Sequence, residues 1–136
     1  AGVRLAIENL PSVSPEACNR LFTFLPNHGV GLCLDIGHAN LFPNTHNDFI
    51  GYLDRLSRDI PIIHLHLHEN YGESDRHMVL FTGPSAKNEV GVVALVERLS
   101  ARNFDGCGIL EQWPSPPELL LRARERLNEL QQVSAH

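Results

Sequence analysis

The stretch Ile62-Ile63-His64-Leu65-His66-Leu67-His68 alternates apolar side chains with imidazoles. A period of two residues predicts a β-strand with two different faces, because successive side chains of a strand point to opposite sides. Neutral imidazoles bind divalent metals, although a single buried histidine is more often simply hydrogen-bonded. The predicted faces carry Ile63, Leu65 and Leu67 on one side, and Ile62, His64, His66 and His68 on the other.

A short apolar strand followed by a helix recurs four times along the chain. Apolar strands that alternate with helices predict a parallel sheet covered by helices, in the α/β class. The long connection over residues 69–88 is typical of a functional or disordered loop. A dinucleotide-binding fold is the weaker interpretation, because no strand is followed by GxGxxG and no P-loop occurs. The predicted strands cover residues 3–7, 30–34, 62–68 and 107–110, and the predicted helices begin near residues 14, 47, 89 and 118.

The composition predicts one globular domain over residues 1–136 and excludes several classes of partner. The net charge is −5 and Lys87 is the single lysine, which argues against a nucleic-acid surface. No apolar run is long enough to span a membrane and no signal peptide opens the chain, so we expect no membrane partner. Three cysteines without a CxxC pair indicate a reducing compartment, and we expect a cytoplasmic protein. The chain begins without methionine and almost at once with a strand, as though inside a domain.

One polar residue stands at or just past the end of each predicted strand. Taken singly, Glu8 and Glu111 could hydrogen-bond helix N-termini, and Asp35 could cap the turn that follows it. The same kind of residue at the same place in all four units favours a shared site. Such an oxygen-rich set with one imidazole suits Mn²⁺, Mg²⁺ or Co²⁺ and also accepts Zn²⁺. The four residues are Glu8, Asp35, His66 and Glu111.

These motifs, in this order, resemble the xylose-isomerase-like superfamily of TIM barrels. That superfamily includes sugar-phosphate isomerases and epimerases and the zinc apurinic endonucleases. The resemblance implies four βα units, the C-terminal half of a (β/α)₈ barrel, with parallel strands inside and helices outside. The motifs are Ala6-Ile7-Glu8-Asn9-Leu10, Leu34-Asp35-Ile36-Gly37-His38-Ala39-Asn40, the stretch from His66 to His77, and Ile109-Leu110-Glu111-Gln112.

The resemblance also implies a function and a site. It implies a divalent-metal-dependent isomerase or epimerase of a sugar or sugar phosphate, in which Glu8 and Glu111 move a proton through an enediolate. His38 would lie beside the substrate, Asp75 and His77 would line the mouth of the site, and Arg76 is the only nearby cation in the sequence. The implied ligands of the one metal are Glu8, Asp35, His66 and Glu111.

Three departures from the family pattern bear on these expectations. Glu69 replaces the usual aspartate, and Leu80-Phe81-Thr82-Gly83-Pro84 replaces the usual Gly-x-Gly stretch. The first four βα units are absent, so we expect either a homodimer that completes the barrel or a missing N-terminal half. The alternatives are a zinc apurinic endonuclease, a dehydratase on the same barrel, and a half-barrel with only a structural role.

Overall fold

Within the described residues, 2–26, 28–113 and 116–134, the computed structural model contains four parallel strands in one sheet. The strands pair in chain order, so each βα unit lies beside the next one. This arrangement confirms the predicted α/β class with helices outside a parallel sheet. The strands are β1 (Leu5–Glu8), β2 (Val30–Asp35), β3 (Ile62–Leu67) and β4 (Cys107–Leu110), and the helices are α1 (Pro15–Phe22), α2 (Ile36–Leu41), α3 (Phe49–Arg55), α4 (Val90–Ala101) and α5 (Pro117–Ser134).

The aliphatic core lies on the face of the sheet that the helices cover. Leu34 and Leu65 of the central strands pack there with Tyr52 of α3 and Leu95 of α4, and all four are buried. Burying one such side chain contributes about 1.5–3 kcal/mol to stability. The Tyr52 hydroxyl donates to the Val13 carbonyl at 2.8 Å, which satisfies its polar end. None of these helices, within the described residues, is long and apolar enough to cross a membrane.

The opposite face, here called the inner face, carries polar side chains at alternate strand positions. His64 and His66 of β3 are half-buried on it, and Cys33 and Asp35 are their register partners on β2. The sheet has two edges, at β1 and β4, where Leu5 is 59% exposed and Ile109 is 50% exposed. The two edge strands do not pair with each other in the described part of the chain, as expected for half of a barrel.

Helix α2 is where the structure departs most from the predicted elements. The sequence predicted a loop after β2, yet residues Ile36–Leu41 form a helix that begins directly after the strand. Asp35 caps it, because its Oδ1 accepts from the His38 amide at 2.8 Å. The capping role considered for Asp35 is therefore real. Strand β3 ends at Leu67, one residue before the predicted end, and α1 ends at Phe22.

The connection over residues 69–88 is ordered by Glu69, which is buried. Its backbone pairs with Met78 through two hydrogen bonds of 2.8 and 2.9 Å. Its carboxylate accepts from the amides of Gly83 and Ser85 at 3.0 and 2.9 Å. The longer side chain at this position thus fastens the far end of the loop to the end of β3.

Candidate metal and catalytic site

Three carboxylates converge on one imidazole nitrogen at the C-terminal edge of the sheet. His66 Nδ1 lies 3.1 Å from Glu8 Oε1, 3.5 Å from Asp35 Oδ2 and 3.0 Å from Glu111 Oε2. One N–H can donate to only one of these oxygens, so the group carries negative charge that the imidazole does not balance. The four ligand atoms lie within 4.8 Å of one another. This donor set fits a divalent cation that prefers oxygen ligands.

The strand ends account for the convergence. Glu8 and Asp35 are the last residues of β1 and β2, His66 is the last but one of β3, and Glu111 directly follows β4. Asp35 and His66 are register partners across β2 and β3. Parallel strands end at the same edge of a sheet, so these side chains meet there. The structure thus brings together the four predicted ligands, and their role as ligands stays a prediction.

Asp35 is the most deeply held of these residues, with no exposed surface. Asn9 ties it to the end of β1: the Asn9 amide donates to the Asp35 carbonyl at 3.0 Å, and the Asp35 N–H donates to Asn9 Oδ1 at 2.8 Å. Burial raises the pKa of the Asp35 carboxyl, but hydrogen bonding and charge from His68, with further contributions from His38, outweigh it. The net pKa lies below its ordinary value. Asp35 is therefore ionised and ready to bind a cation at neutral pH.

A second group of possible ligands lies beside the first. His38 Nδ1 lies 2.9 Å from the carbonyl oxygen of Asn9. His77 Nδ1 lies 2.9 Å from the carbonyl oxygen of Glu111. A carbonyl only accepts, so these contacts assign the proton of each neutral ring to Nδ1 and a lone pair to Nε2. Both Nε2 atoms lie 3.1 Å from Asp75 Oδ2. Such a contact is favourable only when the rings are protonated or when a cation lies among the three groups.

Protonation of these rings is favoured by their surroundings in the metal-free chain. Burial lowers the pKa of His38, but the Asp35 charge, the Asn9 carbonyl and Asp75 outweigh it and raise the pKa above its ordinary value. Burial also lowers the pKa of His77, but the Glu111 carbonyl and Asp75 outweigh it, so the net pKa lies above its ordinary value. A metal bound here would have to displace these protons.

His68 belongs to this second group, although the sequence suggested no role for it. It is buried, its Nε2 faces Asp35, and its ring stacks on His77 with centroids 3.9 Å apart. Its Nδ1 is buried without a hydrogen-bond partner in the described part of the chain and lies 3.9 Å from Asp75 Oδ1. The ligand atoms of the group, His38, His68, Asp75 and His77, lie within 4.8 Å of one another.

The sequence predictions for the mouth of the site have mixed outcomes. His38, Asp75 and His77 come together as described, in one cluster with His68. Arg76 is exposed, and no hydrogen bond or ion pair joins it to another described residue. Asn9 was quoted within a motif but given no role, whereas the structure makes it the link between β1, Asp35 and His38. The signal for His68 was the alternation of imidazoles, which continues one residue past the strand.

The arrangement of the fold agrees with comparisons to known proteins. A family model described as xylose isomerase-like TIM barrel matches residues 1–130. The chain belongs to that family. A crystal structure of a D-tagatose 3-epimerase-like protein superposes with a TM-score of 0.75 and 24% identity, over 97% of this chain and 48% of that one. This xylose isomerase-like chain therefore has the fold of half such a barrel, as the sequence predicted.

Two uncharacterized proteins of Methanocaldococcus jannaschii are similar in sequence. MJ1311 is 28% identical over 111 residues, which is 77% of this chain and 35% of that protein. MJ1614 is 33% identical over 90 residues, which is 60% of this chain and 31% of that protein. The xylose isomerase-like chain thus spans about a third of the length of these two relatives.

Proposed function

We propose that this chain carries the metal-binding and proton-transferring half of a sugar or sugar-phosphate isomerase or epimerase. The observation that supports this most directly is the position of Glu8 and Glu111. They reach the same nitrogen of His66 from the first and last strands of the sheet. The similarity to a protein described as D-tagatose 3-epimerase-like also favours this class.

The proposed division of labour follows from the donor set. Glu8, Asp35, His66 and Glu111 hold one divalent cation, Mn²⁺, Mg²⁺, Co²⁺ or Zn²⁺. A cation bound there supplies positive charge that stabilises negative charge developing on a substrate oxygen. Asp35 is buried, so we assign it a ligand role and no part in proton transfer, whereas Glu8 and Glu111 are partly exposed and can also exchange protons with a substrate.

Proton transfer is the work that we assign to the two glutamates. One carboxylate removes the proton from the carbon beside the substrate carbonyl, and the same or the facing carboxylic acid returns it. Return on the same carbon from the other face gives an epimer. Return on the former carbonyl carbon, with the hydroxyl proton of the enediolate passed to the other oxygen, gives an isomer. His38, Asp75 and His77 offer hydrogen bonds to substrate hydroxyls, and the exposed Arg76 is the nearby cation available to a phosphate.

A zinc apurinic endonuclease is the second candidate, because one observation favours it. The group of His38, Asp75 and His77 adds imidazole-rich ligands beside the carboxylates, and these suit Zn²⁺. The charge of the chain opposes it: 16 acidic residues against 11 lysines and arginines give a net charge of −5, which is unfavourable for binding DNA phosphates. We therefore rank the isomerase or epimerase first.

We propose that a second half-barrel supplies the remainder of the active site. The edges at β1 and β4 leave Leu5 and Ile109 exposed, and parallel sheets are normally closed or covered. Either a second copy of the chain or another half-barrel would cover them. Until it does, we expect weak metal binding and slow turnover, because catalysis depends on positioning as much as on ligands.

The test combines metal content with hydrogen exchange. The chain, of known molar mass in solution, is dialysed against Mn²⁺, Co²⁺ or Zn²⁺ and its metal measured by emission spectrometry. Ketohexoses and ketose phosphates are then incubated with it in D₂O, and deuterium at the carbons next to the carbonyl is followed by NMR. Metal binding with deuterium incorporation would support the proposal.

Other outcomes would contradict it. Several zinc ions per chain together with cleavage of abasic DNA would favour the endonuclease. Metal binding without exchange in either the monomer or a dimer would favour a half-barrel with only a structural role. No metal binding at any concentration would exclude the proposed site.

A further inference from the structure

A sulfur-containing group of possible ligands lies on the inner face, towards the middle of the sheet. Cys33 of β2 and His64 of β3 are register partners. Each lies two residues before Asp35 or His66 on the same strand, and therefore on the same face of the sheet. The ligand atoms of Cys33, His64 and His66 lie within 4.8 Å of one another. His66 therefore belongs both to this group and to the carboxylate site, which is the set Glu8, Asp35, His66 and Glu111.

The donor types of this group differ from those of the carboxylate site. Burial and the nearby carboxylates raise the pKa of the Cys33 thiol to about 12, so a cation bound here would have to displace its proton. A thiolate with two imidazoles suits Zn²⁺ or Cu⁺, whereas a site of three carboxylates suits Mn²⁺ or Mg²⁺. Zinc–nitrogen and zinc–sulfur bonds of about 2.0–2.3 Å place tetrahedral ligand atoms about 3.5 Å apart. The observed ligand atoms, all within 4.8 Å of one another, are close to that spacing.

Cys107 supports His64 from the other side. Its Sγ lies 3.1 Å from His64 Nδ1, a contact that orients the ring, as partners of metal-bound histidines commonly do. Cys107 cannot instead form a disulfide with Cys33, because β3 separates their strands. Two strand spacings put the Cα atoms roughly 9–10 Å apart, beyond the limit of about 7 Å for a disulfide.

We propose that Cys33, His64 and His66 form a second metal site for a thiophilic cation, and that it competes with the carboxylate site for His66. The competition follows from the chemistry of imidazole. A neutral ring has one nitrogen with a lone pair and one with a proton, so His66 serves one cation at a time. Zn²⁺ or Cu⁺ at the sulfur group would thus withdraw the imidazole from the carboxylate site. The binding is independent of the proposed function, and only the competition rests on it.

Cobalt absorption tests the binding. Co²⁺ bound by a thiolate gives a near-ultraviolet sulfur-to-metal charge-transfer band, which oxygen and nitrogen ligands do not give. We expect this band in the full chain and its loss in Cys33→Ser. Cys18→Ser is the matched control, because Cys18 lies in the core on the helix-covered face, 3.5 Å from Tyr52 Oη. Circular dichroism verifies that each variant is folded.

The competition is tested with Mn²⁺, whose free form is counted by electron paramagnetic resonance. We expect Zn²⁺ to release bound Mn²⁺ at least about 10-fold more effectively from the native chain than from Cys33→Ser. A missing cobalt–sulfur band, or one that persists in Cys33→Ser, would overturn the site. Equal release from both proteins would overturn the competition. Failure of Mn²⁺ to bind would contradict the carboxylate site alone, since the cobalt band does not depend on it.

Discussion

Asp35 and His68 are in direct contact, with His68 Nε2 3.0 Å from Asp35 Oδ1 and 3.1 Å from Oδ2. Asp35 belongs to the carboxylate site, and His68 belongs to the second group of possible ligands beside it. This contact therefore joins the two sets of residues. Both residues are buried, and the contact with His68 lowers the pKa of the Asp35 carboxyl against the opposing effect of burial. A change at either residue should therefore be felt in both groups.

Asp35→Asn should remove metal binding while keeping the fold. Asparagine caps a helix as well as aspartate does, but a neutral amide is a poor ligand for a divalent cation. We expect metal affinity to fall by roughly 100-fold or more, since even partners outside the ligand shell are typically worth 10–100-fold. Isothermal titration with Mn²⁺ measures this. Asp48→Asn is the matched control: Asp48 caps α3 through Gly51, so it should lose no affinity. Equal losses in both variants would mean that the effect is structural.

Glu8→Gln and Glu111→Gln should each slow proton exchange, because glutamine can neither take up nor release a proton. General acid or base groups typically contribute about 10²–10⁴-fold to rate, and we expect losses in that range at saturating metal. The readout is deuterium incorporation into the substrate. Glu118→Gln, at an exposed position on α5, serves as the control. Exchange at the native rate in both site variants would refute the assigned roles.

Glu69→Ala should destabilise the chain and release the loop over residues 69–88. It leaves the buried amides of Gly83 and Ser85 without an acceptor, and each such loss costs about 1–3 kcal/mol. Urea unfolding should show a free energy of unfolding lower by about 2–6 kcal/mol. Hydrogen exchange at these two amides should become faster. Glu73→Ala, at an exposed position in the same loop, should change neither measurement.

Gly37→Ala should lower stability although alanine is the better helix former. A methyl group at this position would overlap the His68 ring, meeting Nε2 at 2.7 Å and its Cε1 and Nδ1 atoms more closely still. Overpacking of this kind costs about 1–3 kcal/mol, against a gain of about 1 kcal/mol in helix propensity. Displacement of His68 should also weaken metal binding. Gly2→Ala is the control, since nothing lies within 4 Å of its added methyl. An unchanged melting temperature in Gly37→Ala would contradict the close packing of this ring.

The positions of the residues of the carboxylate site could be predicted from the sequence, because they depend on a local sequence pattern. A short apolar run that ends in one polar residue places that residue at or near a strand end, and parallel strands bring their ends together. Glu8, Asp35, His66 and Glu111 lie where this reasoning expects them. The resemblance to a family supplied the barrel to which these units belong, and the family match confirms that resemblance.

The second group of possible ligands, which contains His68, could not be predicted in the same way, because its assembly depends on contacts between distant segments. His68 is buried through its contact with Asp35, 33 residues away. Asp75 and His77 are brought to it by a loop whose path depends on Glu69, and His77 itself has a left-handed backbone, with φ of 48°. Helix α2 was missed because it is short and contains Gly37, although a capping role for Asp35 had been considered from the sequence.

The division of the sheet into a helix-covered aliphatic face and a polar inner face has an evolutionary consequence. The side chains that stabilise the fold, such as Leu34 and Leu65, are a different set from those proposed to do chemistry, such as Glu8 and Glu111. Point mutations at the strand ends can therefore alter ligands or substrate without disturbing the packing that keeps the chain folded. Asp35 is the exception, because it takes part in both, and we expect descendants of this chain to diverge there last.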